Sequence, residues 1–229
     1  MRNLTENKVI IACGSLKAEL ERFGPHQDNI RMHYMSQNLH RYPDKMREEL
    51  QERIDSFNEK GNTIVLGYGL CSNGVSGLLA GKNGIYIPRV HDCISLYLGG
   101  AERYHAHFSR RPGTYYLTQN WIENQKDPLG LLENEYTQRV GAEMAKEAIE
   151  WELKNYKYIC YIDPGSEDPS PYRERAKENA RVLGKKYFEV KGNDNFFRRI
   201  LYGPYSRKYF VYIEPEQTSN YKNFFKQEN

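Results

Sequence analysis

The chain lacks several features that would define its class at once. No stretch of its 229 residues approaches the roughly 18 consecutive apolar residues that a membrane helix needs, so no membrane partner is expected. The opening Met1-Arg2-Asn3-Leu4-Thr5 has no apolar core of a signal peptide, and a cytoplasmic location is expected. Charge is nearly balanced, with 33 Lys and Arg against 30 Asp and Glu. The basic residues stand beside acidic neighbours, as in Lys45-Met46-Arg47-Glu48-Glu49, which reads as a solvated face. Nucleic acid is therefore not an expected partner. Cysteines number only four, and none forms a C-x-x-C pair. Disulfides are rare in the cytoplasm, and any metal site has to be assembled from distant segments.

What is present suits a globular core. Hydrophobic residues make up 39% of the chain, and 19 tyrosines supply much of the aromatic surface. Their hydroxyls need partners when buried. Strand-like and helix-like stretches alternate. Residues 7–13 read as a first strand, a run of β-branched apolar residues with no alternation, as parallel strands show when covered on both faces. A short helix from Leu16 to Phe23 follows and stops at Gly24-Pro25. Asn29–Met35 alternates as a second strand. Pro43 opens a helix whose stripe is Met46, Leu50, Ile54 and Phe57, and Lys60-Gly61 ends it. Thr63–Leu66 and Gly84–Val90 read as strands, with a small-residue helix at Val75–Ala80 between them. Helices are expected from His91 and over Arg103–Ser109, and a strand at Gly113–Thr118.

The periodicity predicts one long helix over Gly130–Asn155, with Ala142, Ala145, Ile149 and Leu153 inward. Strand Tyr158–Ile162, helix Tyr172–Leu183, strand Tyr187–Val190, helix Asn193–Tyr202 and strand Lys208–Ile213 complete the pattern. The tail from Glu214, ending Lys226-Gln227-Glu228-Asn229, is expected to fray. This alternation predicts an α/β fold, with a mainly parallel sheet and helices on both faces. Residues 1–229 read as a single domain, with a subdivision near residue 155 as the one boundary worth considering.

Three of the four cysteines share an address. Cys13, Cys71 and Cys93 each follow a β-type run and sit in a turn: Cys13-Gly14, Gly67-Tyr68-Gly69-Leu70-Cys71 and His91-Asp92-Cys93. Ligands bind at the carboxyl edge of open α/β sheets, and helix N-termini there favour thiolate over thiol. Three thiolates with the imidazole of His91 would suit four-coordinate zinc, and three protein ligands alone would leave a position open for substrate. Three thiolates alone would suit a 4Fe-4S cluster with one iron free. Against this stands the ordinary use of cysteine as a small buried hydrophobe. For any one of the three that use would be preferred; for three at one address the site is. Cys160, inside Tyr158-Ile159-Cys160-Tyr161-Ile162, reads as core. Asp92 is expected to cap the following helix.

His91-Asp92-Cys93 resembles the His-x-Cys zinc element of cobalamin-independent methionine synthase and of corrinoid:coenzyme M methyltransferases. In those enzymes the zinc-bound thiol of a substrate becomes a nucleophile toward a methyl group. The remaining cysteines lie upstream here and downstream there, so the likeness is of ligand set and not of descent. Ile11-Ala12-Cys13-Gly14, Gly67-Tyr68-Gly69-Leu70-Cys71, His91-Asp92-Cys93-Ile94 and Tyr115-Tyr116-Leu117-Thr118 with Trp121 together resemble an uncharacterised prokaryotic family known only as a domain of unknown function. Its members resemble neighbours of corrinoid methyl-transfer systems, which implies one-carbon chemistry and a corrinoid protein as partner.

Other residues take secondary places. The Gly67-x-Gly69-x-x-x-x-Gly74 loop misses dinucleotide spacing, and its glycines are better read as allowing a tight turn around Cys71. His40, in a loop before a helix, is a candidate acid/base beside His91. Tyr68, Arg89 and Tyr116 are candidates for substrate contact, although Tyr is also an ordinary core-edge residue. The expected function is a Cys/His metal enzyme that activates a small-molecule thiol or sulfur substrate, with methyl transfer from a methyl donor as one reaction. The alternatives are an iron–sulfur lyase or desulfurase, and a non-catalytic corrinoid- or metal-binding accessory protein.

Overall fold

The computed structural model describes residues 7–24, 29–58 and 61–225. Its eight strands are β1 Lys8–Cys13, β2 Ile30–Met35, β3 Thr63–Gly67, β4 Ile85–Pro88, β5 Thr114–Leu117, β6 Tyr158–Asp163, β7 Lys186–Lys191 and β8 Phe210–Ile213. They form a five-stranded sheet in the order β2-β1-β3-β4-β8 and a three-stranded sheet in the order β5-β6-β7. The chain divides into two compact units, Met1–Ala101 with Asp194–Asn229, and Glu102–Asn193. Residue 155 falls inside the second.

In the first unit β2, β1, β3 and β4 are parallel, and β8 closes the edge antiparallel to β4. The fold is therefore α/β with a mostly parallel sheet, as the alternation of elements predicts. Val9, Ile10 and Ile11 on β1 and Val65 and Leu66 on β3 have no exposed surface, the burial expected of central parallel strands. Each such side chain contributes about 1.5–3 kcal/mol of hydrophobic stabilisation. The helix Pro43–Ser56 buries Met46, Leu50 and Ile54, three of the four stripe positions. Phe57 lies at its C-cap and packs against His33, ring centroids 4.4 Å apart.

In the second unit β5, β6 and β7 are all parallel. Cys160 lies on the central strand with no exposed surface, the core position read from its sequence.

Three readings are corrected. No helix forms at Val75–Ala80; residues 71–77 are a chain of turns, because Gly77 at φ +94° cannot continue a right-handed helix. The long helix over 130–155 is interrupted. Leu132–Tyr136 is π-helical, and Gly141, at φ +81° and ψ +164°, separates Thr137–Val140 from Ala142–Glu152. Ala142 is exposed as a result, while Ala145, Ile149 and Leu153 are buried. The C-terminal stretch is held as far as residue 225. Ser219 N–H donates to the Leu78 carbonyl and Gly77 N–H to the Ser219 carbonyl, both at 2.8 Å, and Phe224 is buried. The four residues after it, and the helix-stop positions Pro25 and Lys60, lie outside the described residues. Among the described residues no helix is long and apolar enough to cross a membrane.

Candidate functional site: a three-thiol cluster

Strand order makes the site. From β1 the chain moves to one side to form β2, and from β3 to the other side to form β4. Ligands of open α/β sheets bind where that direction reverses, outside the carboxyl ends of the strands. Here those ends belong to β1 and β3. Cys13 is the last residue of β1. Ala12 is in register with Gly67, so Cys13 and Tyr68 both follow directly on a paired position.

Beyond β3 the backbone stays beside the β4 turn. Leu70 N–H donates to the Val90 carbonyl at 2.9 Å, and Cys71 N–H to the His91 carbonyl at 2.8 Å. Gly69 makes this approach possible. A Cβ there would lie 2.7 Å from Asp92 N and 2.9 Å from the Val90 carbonyl oxygen, both backbone atoms. The glycine thus permits a close approach of two loops, in addition to the turn expected of it. Asp92 caps the helix Cys93–Leu98 as expected, its Oδ1 accepting from Ser95 N–H at 3.0 Å. Cys93 is consequently fixed at the first helical position.

Cys71, Ser72 and Asn73 all have left-handed backbone, with φ +45°, +54° and +68°. Asn tolerates this conformation, whereas Cys and Ser each give up about 1–2 kcal/mol. Such strain persists only where surroundings impose it, and it gathers at functional sites.

The three sulfurs lie close enough to act on one another. Burial pushes the Cys71 thiol up to about 12, with further contributions from Cys13 and Asp92. Cys93 is raised well above its ordinary value by burial, then by Cys13, Cys71 and Asp92. Cys13 is raised by burial and lowered in part by its hydrogen bond from Ser15. Cys93 does open a helix, as the thiolate argument expects. A helix end supplies only about 0.3–1 kcal/mol, less than one decade of acidity. Burial and mutual repulsion win, and without a cation the three groups are thiols at neutral pH.

Ser15 is 2% exposed, and its hydroxyl donates to Cys13 Sγ at 3.1 Å. The Ser15 carbonyl accepts from Tyr97 O–H at 2.6 Å, and the same phenol oxygen is 2.8 Å from Glu19 Oε2. Glu19 and Tyr97 are also buried. Tyr68 is 2% exposed, and its hydroxyl has no hydrogen-bond partner among the described residues. Burial raises its pKa first, then Cys13, Cys71, Cys93 and Glu49. A buried hydroxyl without a partner costs about 1–3 kcal/mol.

The structure thus brings together Cys13, Cys71, Cys93 and Tyr68. The ring of His91 is exposed and packs on Phe225, centroids 5.6 Å apart. His40 is exposed in the short helix Gln37–Arg41, its Nδ1 2.5 Å from the Gln37 carbonyl oxygen. Arg89 donates to the backbone carbonyls of Arg207 (3.1 Å) and Phe210 (3.4 Å) and to that of Asn223. It ties β8 and the C-terminal stretch to the end of β4. Tyr116 lies on β5 in the second unit, half-buried, its ring 6.3 Å from Tyr104. The loop of Gly67, Gly69 and Gly74 leads into turns and not into a helix, so it lacks the helix N-terminus on which phosphate-binding loops depend.

Sequence reading missed Ser15, Tyr97 and Glu19 as members of the site. The Tyr97–Ser15 contact joins residues 82 positions apart, and no local spacing announces it. Among the described residues no group of three or more His, Cys, Asp and Glu side chains stands ready to hold a metal ion. Sulfur is a soft donor.

No curated protein and no solved structure matches the chain. Residues 34–201 match the family described as a protein of unknown function, DUF1638. That span contains Cys71 and Cys93 and begins after Cys13. Covering more than half of the sequence, the match makes the chain a member of the DUF1638 family.

Proposed function

We propose that Cys13, Cys71 and Cys93 hold a soft metal ion and that the protein uses it to activate a small thiol for methyl or sulfur transfer. The observation that carries this reading is the meeting of three thiols, from the ends of β1, β3 and β4, in surroundings that forbid three bare thiolates. Thiols so placed give up their protons only to a cation that replaces them. A bound dication would offset two of the three sulfur charges and lower the pKa of a fourth, incoming thiol.

The residues of the chain then have defined tasks. The sulfurs bind the ion. Tyr68 O–H supplies a donor to the arriving sulfur. In methyl transfer, that sulfur forms its bond to carbon as the carrier–methyl bond breaks, and the carrier keeps the electron pair. A corrinoid protein is the carrier we favour, on the resemblance to methyl-transfer neighbours described above.

Zinc suits a set of three cysteines with an open fourth position. The same three sulfurs would equally serve an iron–sulfur cluster with one iron free, since clusters are normally held by cysteine.

Elemental analysis of anaerobically purified protein tests the proposal. About one equivalent of zinc per chain, or several of iron with a brown colour, is expected, and Cys71→Ser and Cys93→Ser should each lose it. Full metal content in both variants would end the reading. Methyl transfer to a thiol by the purified protein, with no partner present, separates an enzyme from an accessory protein.

A further inference from the structure

A helix of the second unit turns an apolar face outward. The helix Ala142–Glu152 buries Ala145 and Ile149. Met144 and Trp151 stand away from that side, 62% and 72% exposed, the two most exposed large apolar side chains among the described residues. Seven residues separate them, close to two turns, so they form one stripe with the exposed Ala148 between them. Contiguous apolar surface marks a place where another surface docks, and Trp and Met are enriched at such places. The same helix carries four glutamates against one lysine. Lys146 pairs with Glu150 at 3.9 Å, and Glu152 accepts from Tyr136 O–H at 2.8 Å. Glu143 and Glu147, beside the stripe, make no ion pair among the described residues. Lys154 Nζ lies 3.2 Å from the centre of the Trp151 ring, so this indole already takes a cation on its face.

A surface of opposite sign lies in the same unit. The helix Ala101–Arg110 buries none of its residues and holds two arginines against one glutamate. Arg103, Ala106 and Arg110 are all exposed, and their spacing of three and four puts them on one stripe. Neither arginine makes an ion pair among the described residues, and the small Ala106 between them lets a second helix come close. Along their axes, Arg103 and Arg110 stand about 10.5 Å apart, and Glu143 and Trp151 about 12 Å. One arginine can thus meet a glutamate while the other lies on the indole face. The Met144–Trp151 stripe set against its own copy would instead crowd glutamates together, which their like charge opposes.

We propose that the chain associates with a second copy of itself head to tail, the Met144–Trp151 face of one copy seated on the Arg103–Arg110 face of the next. The apolar stripe is the buried centre, and the glutamate–arginine pairs at its rim set the register. Such a contact is heterologous, so it closes into a ring or continues as a chain of copies. Two helices of this length make a small contact, below about 1,200 Å², and the association is weak and reversible. It stands apart from the thiol site and does not depend on what that site holds.

Sedimentation velocity of the full chain at up to ~100 μM, in the range where small contacts are populated, tests the proposal. The mean mass should rise with concentration and fall as salt is raised from about 0.05 to 0.5 M. Met144→Ser with Trp151→Ser removes one face, and Arg103→Glu with Arg110→Glu removes the other. Each doubly substituted chain should be a monomer by itself. Mixed in equal amounts, the two should form a dimer and stop there, because each keeps the face that the other lacks. All four positions are exposed, so the thermal midpoints should match that of the unaltered protein; if a double variant unfolds, Trp151→Ser or Arg110→Glu alone takes its place. An unaltered chain that stays monomeric would overturn the inference. So would self-association retained by the arginine variant, which would mean that the apolar face meets its own copy or another surface, and so would a mixture that stays monomeric.

Discussion

The two units build parallel sheets from similar runs of residues, yet they gather different groups beside those sheets. In the first unit the strand order reverses direction between β1 and β3. The carboxyl edge there gathers three thiols, a strained turn and the Tyr68 hydroxyl with no partner among the described residues. In the second, β5, β6 and β7 follow one another in order, and the prominent buried carboxylate is fully engaged. Asp127 is 1% exposed. It accepts from Asn179 Nδ2 at 2.7 Å, Arg175 Nε at 3.0 Å and Gly130 N–H at 3.2 Å. Asn179 Oδ1 in turn accepts from Leu129 N–H at 3.0 Å. The Asp127 network is closed on itself and serves stability, although the second unit also buries a hydroxyl, that of Tyr161, with no partner among the described residues.

Cys13 and Cys160 show the same difference in single residues. Both are buried on central strands. Cys160 lies inside its strand, its Sγ 3.6 Å from the adjacent Tyr161 carbonyl oxygen, whereas Cys13 is the terminal residue and accepts a hydrogen bond from Ser15 Oγ at 3.1 Å. Position along the strand, and not burial, separates a core thiol from a site thiol.

The contrast can be broken by substitution. Asp127→Ala removes one partner of a closed buried ionic network and should cost about 3–5 kcal/mol. A thermal midpoint close to that of the unaltered protein would show that the network is not structural. Cys160→Ser puts a hydroxyl into hydrocarbon and should cost about 1–3 kcal/mol in urea unfolding. Cys71→Ser, in a polar turn, should cost less than Cys160→Ser, and the reverse order would sink the distinction between the two kinds of thiol.

Tyr68→Phe removes a hydroxyl that makes no bond within the described residues, so stability should be unchanged or raised by up to about 1 kcal/mol. Tyr97→Phe should instead lose about 0.5–1.5 kcal/mol. Comparable losses in both would mean that Tyr68 has a structural partner.

The smallest effect is electrostatic. Glu189 accepts two hydrogen bonds from Arg173, at 2.6 and 2.7 Å, and these hold its carboxyl below the usual 4.5. The unfolded chain therefore takes up this proton at higher pH than the folded one. The contribution is full above about pH 4.5 and is lost as pH falls through the lowered value. Glu189→Gln should flatten the acid limb of the stability profile slightly, and an unchanged limb would remove Glu189 from the account.

Much of this was legible in advance because it is local. The unbroken run at Lys8–Cys13, the stripe Met46, Leu50, Ile54 and the Asp92 cap each depend on neighbours within a turn or two. Local reading failed where a single glycine decided the backbone. Gly77 prevents a helix, and Gly141 splits one whose periodicity runs unbroken through it.

Sequence alone determined that strands and helices alternate, that Cys160 is core and that three cysteines end β-type runs. These follow from the apolar pattern and from where it stops. Only the tertiary structure decided which other groups join those thiols. Register sets Tyr68 beside Cys13, Gly69 lets two loops touch, and Tyr97 reaches across 82 residues to Ser15. A polar contact between distant segments depends on the pairing of strands, and strand pairing leaves no spacing in the chain to be read.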